Sequence, residues 1–147
     1  MAQFARPSVD TTRDNWEEDD GTTASIFDQI DEAVQDDADF IRTVLTPTAD
    51  VYVTKLTSVT DPVSSSNHTV RYRYGKDVAA GDQIDLTVEL RQGYVNEGSP
   101  GTLIKTLGTH TDIASGWTAA AVTLSGAEAD SITNYADLYL RFVGNKP

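Results

Sequence analysis

Three stretches of this sequence alternate apolar and polar residues with a period of two, and this pattern restricts the possible folds more than any other feature. They are Thr69–Tyr74, residues 84–91 and residues 138–143. Successive side chains of a β-strand point to opposite faces of its sheet, so alternation predicts strands with one buried face. The predicted core residues are Val70, Tyr72, Tyr74, Ile84, Leu86, Val88, Leu90, Leu138, Leu140 and Phe142.

The rest of the chain is also typical of a sheet protein. Val, Ile and Thr total 39 residues against 9 Leu, and β-branched residues favour strands over helices. Less regular strands are expected at residues 39–45, 51–59, 103–107 and 117–124. Six to eight short strands in one chain of 147 residues predict an all-β fold. Its architecture would be an antiparallel β-sandwich of the jelly-roll type.

Little helix is expected. Ser125 and Glu128 have the spacing of a capping box, in which each side chain bonds the backbone of the other residue. A short helix is therefore expected near residues 126–133. Residues 24–34 fit either a strand or an amphipathic helix, and a short helix or helical turn is the prediction.

The connection between the first two alternating strands has the composition of a turn. Residues 75–82 include two glycines and a Lys-Asp pair. This predicts a hairpin, which would place Arg71 and Arg73 beside Asp85 and Glu89 on the outer face.

Acidic residues are concentrated in the first third of the chain. Residues 1–50 carry 13 acidic and 3 basic side chains, a net charge of −10, whereas residues 51–147 carry 10 and 8, a net charge of −2. Repulsion among neighbouring carboxylates disfavours independent folding. We therefore predict an extended acidic N-terminal arm at residues 1–23 and a β-sandwich domain at residues 24–147.

The predicted arm has features of a partner-binding segment. Two aromatic residues interrupt its polar sequence, and aromatic anchors are common where a segment binds a partner groove. The alternatives are a solvated tail, aromatics that pack on the chain's own body, and a calcium loop at residues 18–21. That loop lacks the alternating oxygen ligands of an EF-hand. The predicted partner-binding residues are Phe4, Trp16, Glu17, Glu18, Asp19 and Asp20.

Several classes of function are disfavoured by composition. A net charge of −12 argues against nucleic acid as a partner, because phosphate binding needs an excess of Lys and Arg. No apolar run approaches the roughly 20 residues of a membrane span, and the first residues lack the apolar core of a secretory signal. The absence of cysteine excludes disulfides and cysteine nucleophiles. We expect neither a nucleic-acid nor a membrane partner.

No catalytic motif is visible. His68 and His110 are isolated from each other and from metal-ligand spacings, so no catalytic residue, metal ligand or cofactor is expected and the chain is predicted not to be an enzyme. Asp36, Asp37 and Asp39 are a weak alternative for calcium. A sugar-binding face is a further alternative, and its aromatic candidates are Tyr72, Tyr74, Tyr94, Trp117, Tyr135 and Tyr139.

Several short motifs occur together in one order. They are Asn15-Trp16, Ile30-Asp-Glu32, Asp36-Asp-Ala-Asp-Phe-Ile41, Asp61-Pro62, His68-Thr-Val-Arg-Tyr-Arg-Tyr74, Ile84-Asp-Leu-Thr-Val88, Ala127-Glu-Ala-Asp-Ser-Ile-Thr133 and Asp137-Leu-Tyr-Leu-Arg-Phe142. In this combination the chain resembles, over residues 15–143, small β-sandwich proteins encoded among the virion genes of tailed bacteriophages.

The resemblance implies a structural virion protein and no enzyme. It implies a capsid decoration, or cement, protein that is made in the host bacterial cytoplasm and binds the major capsid protein on the capsid surface. Homo-oligomers, such as trimers at three-fold sites of a shell, are the expected assembly. The alternative is a tail or head-fibre adsorption module that binds carbohydrate.

Overall fold

The computed structural model describes residues 2–77 and 82–147. Its strands are short and its helical content is small. The elements are β1 (Pro7–Arg13), β2 (Trp16–Glu18), a 3₁₀ helix (Ile26–Gln29), β3 (Ile41–Thr43), β4 (Asp50–Leu56), β5 (Thr69–Tyr74), β6 (Asp85–Gln92), β7 (Thr102–His110), β8 (Thr118–Thr123), α1 (Gly126–Asp130) and β9 (Leu138–Asn145).

A five-stranded antiparallel sheet in the order β1-β4-β9-β6-β7 forms the base of the fold. On one face, Val88 and Tyr52 both lie opposite Phe142, and Leu90 lies opposite Leu140. We call this the inner face. Because paired residues point to the same side, these apolar residues form a continuous buried surface across the three central strands.

Two separate two-stranded ribbons, β2-β3 and β5-β8, pack on the inner face. Trp16 of β2 is buried in the core, with its ring 6.1 Å from that of Tyr52. Val70 and Tyr72 of β5 pack against the same cluster. The fold is therefore all-β and sandwich-like, as predicted. The jelly-roll topology is a finer class and stays a prediction.

The opposite, outer face of the sheet holds a smaller cluster beneath residues 93–100. Arg141 donates hydrogen bonds to Glu89 at 3.1 Å and to Glu97 at 3.0 and 2.6 Å, so this face is closed by paired charges. Its buried apolar residues are Val51, Val53, Tyr94 and Tyr139.

The alternation predicts the inner-face residues of β5, β6 and β9, but β9 is buried on both faces, since Tyr139 is also buried. Five of the predicted core residues are buried, namely Leu86, Val88, Leu90, Leu138 and Leu140. The other five are half-buried and pack against this core. The predicted capping box is also present, since Ser125 Oγ accepts from Glu128 N and Glu128 Oε2 accepts from Ser125 N. The helix ends at Asp130, earlier than expected, and the ambiguous segment at residues 24–34 contains the 3₁₀ helix.

The predicted hairpin between β5 and β6 is wrong. β6 pairs with β7 on one side and β9 on the other, which leaves it no free edge for β5. Arg73 instead donates to Asp37, and Glu89 accepts from Arg91 and Arg141. Alternation specifies the face a side chain occupies but not the strand beside it. Part of the predicted connection, residues 78–81, lies outside the described residues.

The acidic N-terminal segment is extended, as predicted, but it is not separate from the sandwich. β1 is an edge strand of the large sheet, paired with β4. Asp10 accepts hydrogen bonds from Tyr52 Oη at 2.7 Å and from the backbone N–H groups of Ile26 and Phe27 at 3.0 Å. The boundary predicted at residues 23 and 24 therefore divides a continuous packing unit, because several of the segment's carboxylates are used to hold it in place.

Candidate binding cleft

The second layer of the sandwich is divided, and the division leaves a cleft. β2-β3 and β5-β8 share no pairing. The cleft over the inner face has a volume of about 2430 Å³. It is lined by β3 and the preceding loop on one side and by the β5-β8 ribbon on the other. Pockets for small ligands hold roughly 300–1,000 Å³, so this cleft is large enough for a segment of a macromolecule.

The floor of the cleft is apolar. It is formed by side chains of β6 and β9, among them Leu90, Leu140 and Phe142. Ile41 on β3 and Val70 on β5 are half-buried at its walls. Leu90 and Leu140 are already buried, so the apolar area that a ligand would cover belongs to the half-buried residues, such as Phe142. Covering apolar area contributes about 25 cal/mol per Å².

Two contacts bridge the ribbons at one end of the cleft. The rings of Phe40, just before β3, and Trp117, just before β8, meet edge to face with centroids 5.4 Å apart. Arg73 donates two hydrogen bonds to Asp37, at 2.7 and 2.8 Å. Trp117 remains 40% exposed. The two ribbons are therefore joined by side chains at this end and not by backbone pairing.

The rim of the cleft carries an excess of unneutralised acid. Burial, and then the charges of Asp39 and Asp31, raise the pKa of Glu32 above its usual range. Glu32 Oε1 is buried and has no hydrogen-bonding partner among the described residues. The nearby cations have other partners, since Arg42 pairs with Glu17 and Arg73 with Asp37. Arg6 also lines the cleft, and its guanidinium donates to Asp31 O at 3.4 Å. Glu32 therefore keeps one buried oxygen without a partner among the described residues, and a cationic group of a ligand would pair with it.

The two histidines contact tyrosines. His110 Nε2 shares a hydrogen bond of 2.8 Å with Tyr72 Oη and stacks on Tyr74 with centroids 4.1 Å apart. Burial lowers the pKa of His110, so its ring is neutral at physiological pH. His68 Nε2 shares a 2.8 Å hydrogen bond with Tyr135 Oη. Both arrangements fix aromatic rings of the cleft wall, and no carboxylate of residues 2–77 or 82–147 pairs with either imidazole.

The predicted anchors of the N-terminal segment lie in different environments. Trp16 is only 7% exposed and its Nε1 donates to Asp50 O at 3.1 Å, whereas Phe4 is 66% exposed. Trp16 is therefore a core residue and not a partner anchor, which corrects that prediction. Its burial follows from the pairing of β2 with β3 above Phe142.

The predicted acidic residues lie at the end of β2 and in the tight turn that follows it. Glu17 pairs with Arg42 at 2.9 Å. Glu18 N donates to Thr22 O, and Asp20 Oδ1 accepts from Thr22 N at 2.8 Å. That last bond lowers the pKa of Asp20. Across residues 2–77 and 82–147, no three His, Asp or Glu side chains converge as metal ligands. The calcium alternatives at 18–21 and 36–39 gain no support.

The aromatic candidates for sugar binding do not form one platform. Tyr72 and Tyr74 face the core, and Tyr94 and Tyr139 are buried on the outer face. Trp117 is the exposed member of the set.

The cleft itself was not predicted from the sequence. It results from a gap between strands that are distant in the chain, and no local pattern marks such a gap. The six acids of residues 28–39, with no Lys or Arg among them, are the sequence signal near it. No family model, curated protein or solved structure matches this chain. Among the described residues, no helix has the length and apolar character that crossing a membrane requires.

Proposed function

We propose that this protein is a non-catalytic structural protein of a virus particle, a capsid decoration protein of a tailed bacteriophage that binds the major capsid protein and stabilises the head shell. The observation that carries the proposal is the acidic surface of residues 10–39, which holds 12 carboxylates and a single base, Arg13. The family resemblance and the absence of a catalytic motif in the sequence support it.

The structure supports a preformed acidic surface. β1 and β2 are paired strands, so binding through this segment does not have to offset the backbone entropy of about 1–2 kcal/mol per residue that a free arm would lose. Of the 12 carboxylates, three have ion-pair partners among the described residues: Asp10, Glu17 and Asp37. The remaining charge favours a partner surface rich in Lys and Arg.

The test measures occupancy on heads assembled from the major capsid protein of the genome that encodes this chain. Asp28→Asn with Asp36→Asn removes two exposed charges from the acidic surface. The matched control, Asp61→Asn with Asp130→Asn, removes two exposed charges elsewhere. The first variant is expected to bind roughly fivefold more weakly, at about 0.5 kcal/mol per exposed charge pair, and the control to bind like the unmodified protein. Equal occupancy of all three would contradict binding through this surface, and no occupancy by any would contradict the decoration function.

A second candidate, an adsorption module that binds carbohydrate, is favoured by one observation. Trp117 presents an exposed ring beside Phe40 at the end of the cleft. If a glycan stacks there, Trp117→Ala abolishes glycan binding in calorimetric titration and leaves head occupancy unchanged. Glycan affinity that survives the substitution would contradict this site.

A further inference from the structure

The β5-β8 ribbon has an unpaired edge at the cleft. Leu124 N donates to His68 O at 2.8 Å, which continues the β5-β8 ladder. In antiparallel pairs the bonded positions alternate, so the backbone groups of Ala120 and Val122 face β5 and those of Ala119 and Ala121 face away. Within the described residues, no backbone or side-chain group bonds these outward groups. The edge of β8 is therefore a template for another strand.

This edge borders the cleft. Ala120 points toward the core and Ala119 and Ala121 point away from it, yet all three line the same cavity. An alanine methyl group is too short to reach from one face of a strand to the other. A cavity that contacts alanines on both faces therefore lies along the side of β8. The small side chains leave the approach to the backbone open.

The apolar floor and the acidic rim of the cleft determine which kind of peptide segment would bind there. A strand laid beside β8 would direct every second side chain toward the floor at Leu90, Leu140 and Phe142, because alternate side chains of a strand point to one face. Glu32 lines the same cavity and keeps one buried oxygen without a partner among the described residues, so a cationic side chain of the segment would pair with it. Both features favour a segment that alternates apolar and polar residues and carries Lys or Arg.

We propose that the cleft binds an extended segment of a partner protein, which adds a strand to the free edge of β8, fills the gap between the two ribbons with alternate apolar side chains, and pairs a Lys or Arg with Glu32. This mode is β-strand addition, in which backbone hydrogen bonds supply affinity and side-chain pockets supply specificity. It does not depend on the capsid role, because any partner with such a segment fits the same site.

The test uses a synthetic peptide as the probe. A peptide of about six residues, the usual length of a strand, alternates Val and Thr and carries two lysines at one end, and its match carries two glutamates there. Amide hydrogen exchange is followed by NMR on the full chain. The lysine peptide is expected to slow exchange of the Ala119 and Ala121 amides by at least about tenfold, and the glutamate peptide to bind more weakly.

Two variants test the two parts of the site. Ala121→Pro removes an outward N–H and none of the bonds to β5, so it is expected to abolish peptide binding while the fold persists. Glu32→Gln is expected to weaken the lysine peptide by about threefold to tenfold. It is expected to strengthen the glutamate peptide, because it removes the repulsion between like charges. If Ala121→Pro does not fold, the exchange pattern and Glu32→Gln still decide the question.

Three results would overturn the proposal. The first is no protection of the β8 amides at millimolar peptide, and the second is protection of Arg71 and Arg73 on β5 instead. The third is protection of Ala119 and Ala121 that rises with protein concentration and without peptide, together with dimers in sedimentation. That last result would assign the cleft to a second copy of the chain.

Discussion

Leu86 lies on the central strand β6 with 8% of its surface exposed, and its side chain belongs to the main core. Leu86→Ala is expected to lower the free energy of unfolding by about 2–5 kcal/mol, because the truncation removes buried methyl groups and leaves a cavity. Leu103 on β7 is 45% exposed, so Leu103→Ala is expected to change stability by less than about 0.5 kcal/mol. Denaturant unfolding measures both. A loss below about 0.5 kcal/mol for Leu86→Ala would contradict its assignment to the core.

Two glycines with positive φ allow two costs of an alanine substitution to be measured separately: the cost of a left-handed backbone and the cost of a Cβ that overlaps backbone atoms. Gly101 (φ +68°) precedes β7, and a Cβ there would overlap the carbonyl of Gln92, whereas a Cβ at Gly116 (φ +81°) would meet nothing within 4 Å. Gly116→Ala is expected to lower stability by about 1–2 kcal/mol, the cost of the left-handed conformation alone. Gly101→Ala is expected to lose at least about 1 kcal/mol more, since backbone has to move. Equal losses in thermal or chemical unfolding would show that the turn relaxes freely.

At the scale of elements, β2 decides whether the N-terminal segment belongs to the fold. Trp16→Ala is expected to lower the free energy of unfolding by about 3–5 kcal/mol, as for other buried aromatics. Phe4 is 66% exposed, so Phe4→Ala is expected to be nearly neutral. Calorimetry of the two variants measures the difference. A neutral Trp16→Ala would mean that the segment is a detachable arm, as the charge pattern by itself suggests.

α1 is held by a carboxylate, which makes its contribution depend on pH. The hydrogen bond from Lys105, and then that from Ser125 N, lower the pKa of Glu128 from its ordinary value of 4.5. A lowered pKa means that the ionised carboxylate stabilises the folded state above pH 4.5, and that this stabilisation is lost as the pH falls through the lowered value. Glu128→Gln is expected to be less stable than the unmodified protein at neutral pH and to approach it in acid. Asp130→Asn, on the same helix, serves as the control, and a Glu128→Gln deficit that persists in acid would contradict the role of the charge.

At the scale of the molecule, the net charge of −12 gives salt opposite effects on stability and binding. Raising the ionic strength from about 0.01 to 0.15 M shortens the Debye length from about 30 to 8 Å. This screens the repulsion among the clustered carboxylates, so the free protein is expected to gain thermal stability, whereas its occupancy on a basic partner surface is expected to fall. Sodium chloride is the suitable salt, because sulfate stabilises by exclusion. A fall in stability over this range would contradict net self-repulsion.

The candidate site was less predictable than the core. Ser125 and Glu128 are three residues apart in the chain, and Leu86, Val88 and Leu90 share a face by local geometry, so a local pattern was sufficient for both. Trp16 was ambiguous, because an aromatic residue in an acidic segment is compatible with burial in either the chain or a partner. Its burial depends on β3, more than twenty positions away.

Local pattern was sufficient for the alternating strands β5, β6 and β9 and for their inner faces, because both follow from the period of two of an extended backbone. It did not identify β1 and β2 as strands, and which strands are neighbours was visible only in the folded chain. β5 pairs with β8 across more than forty residues and leaves the adjacent β6 to β7 and β9. Pairing depends on which edges remain free after the other strands have packed, and the cleft is the space that those pairings leave uncovered. No single segment carries that information, because each ribbon pairs only its own two strands and the gap lies between the two ribbons.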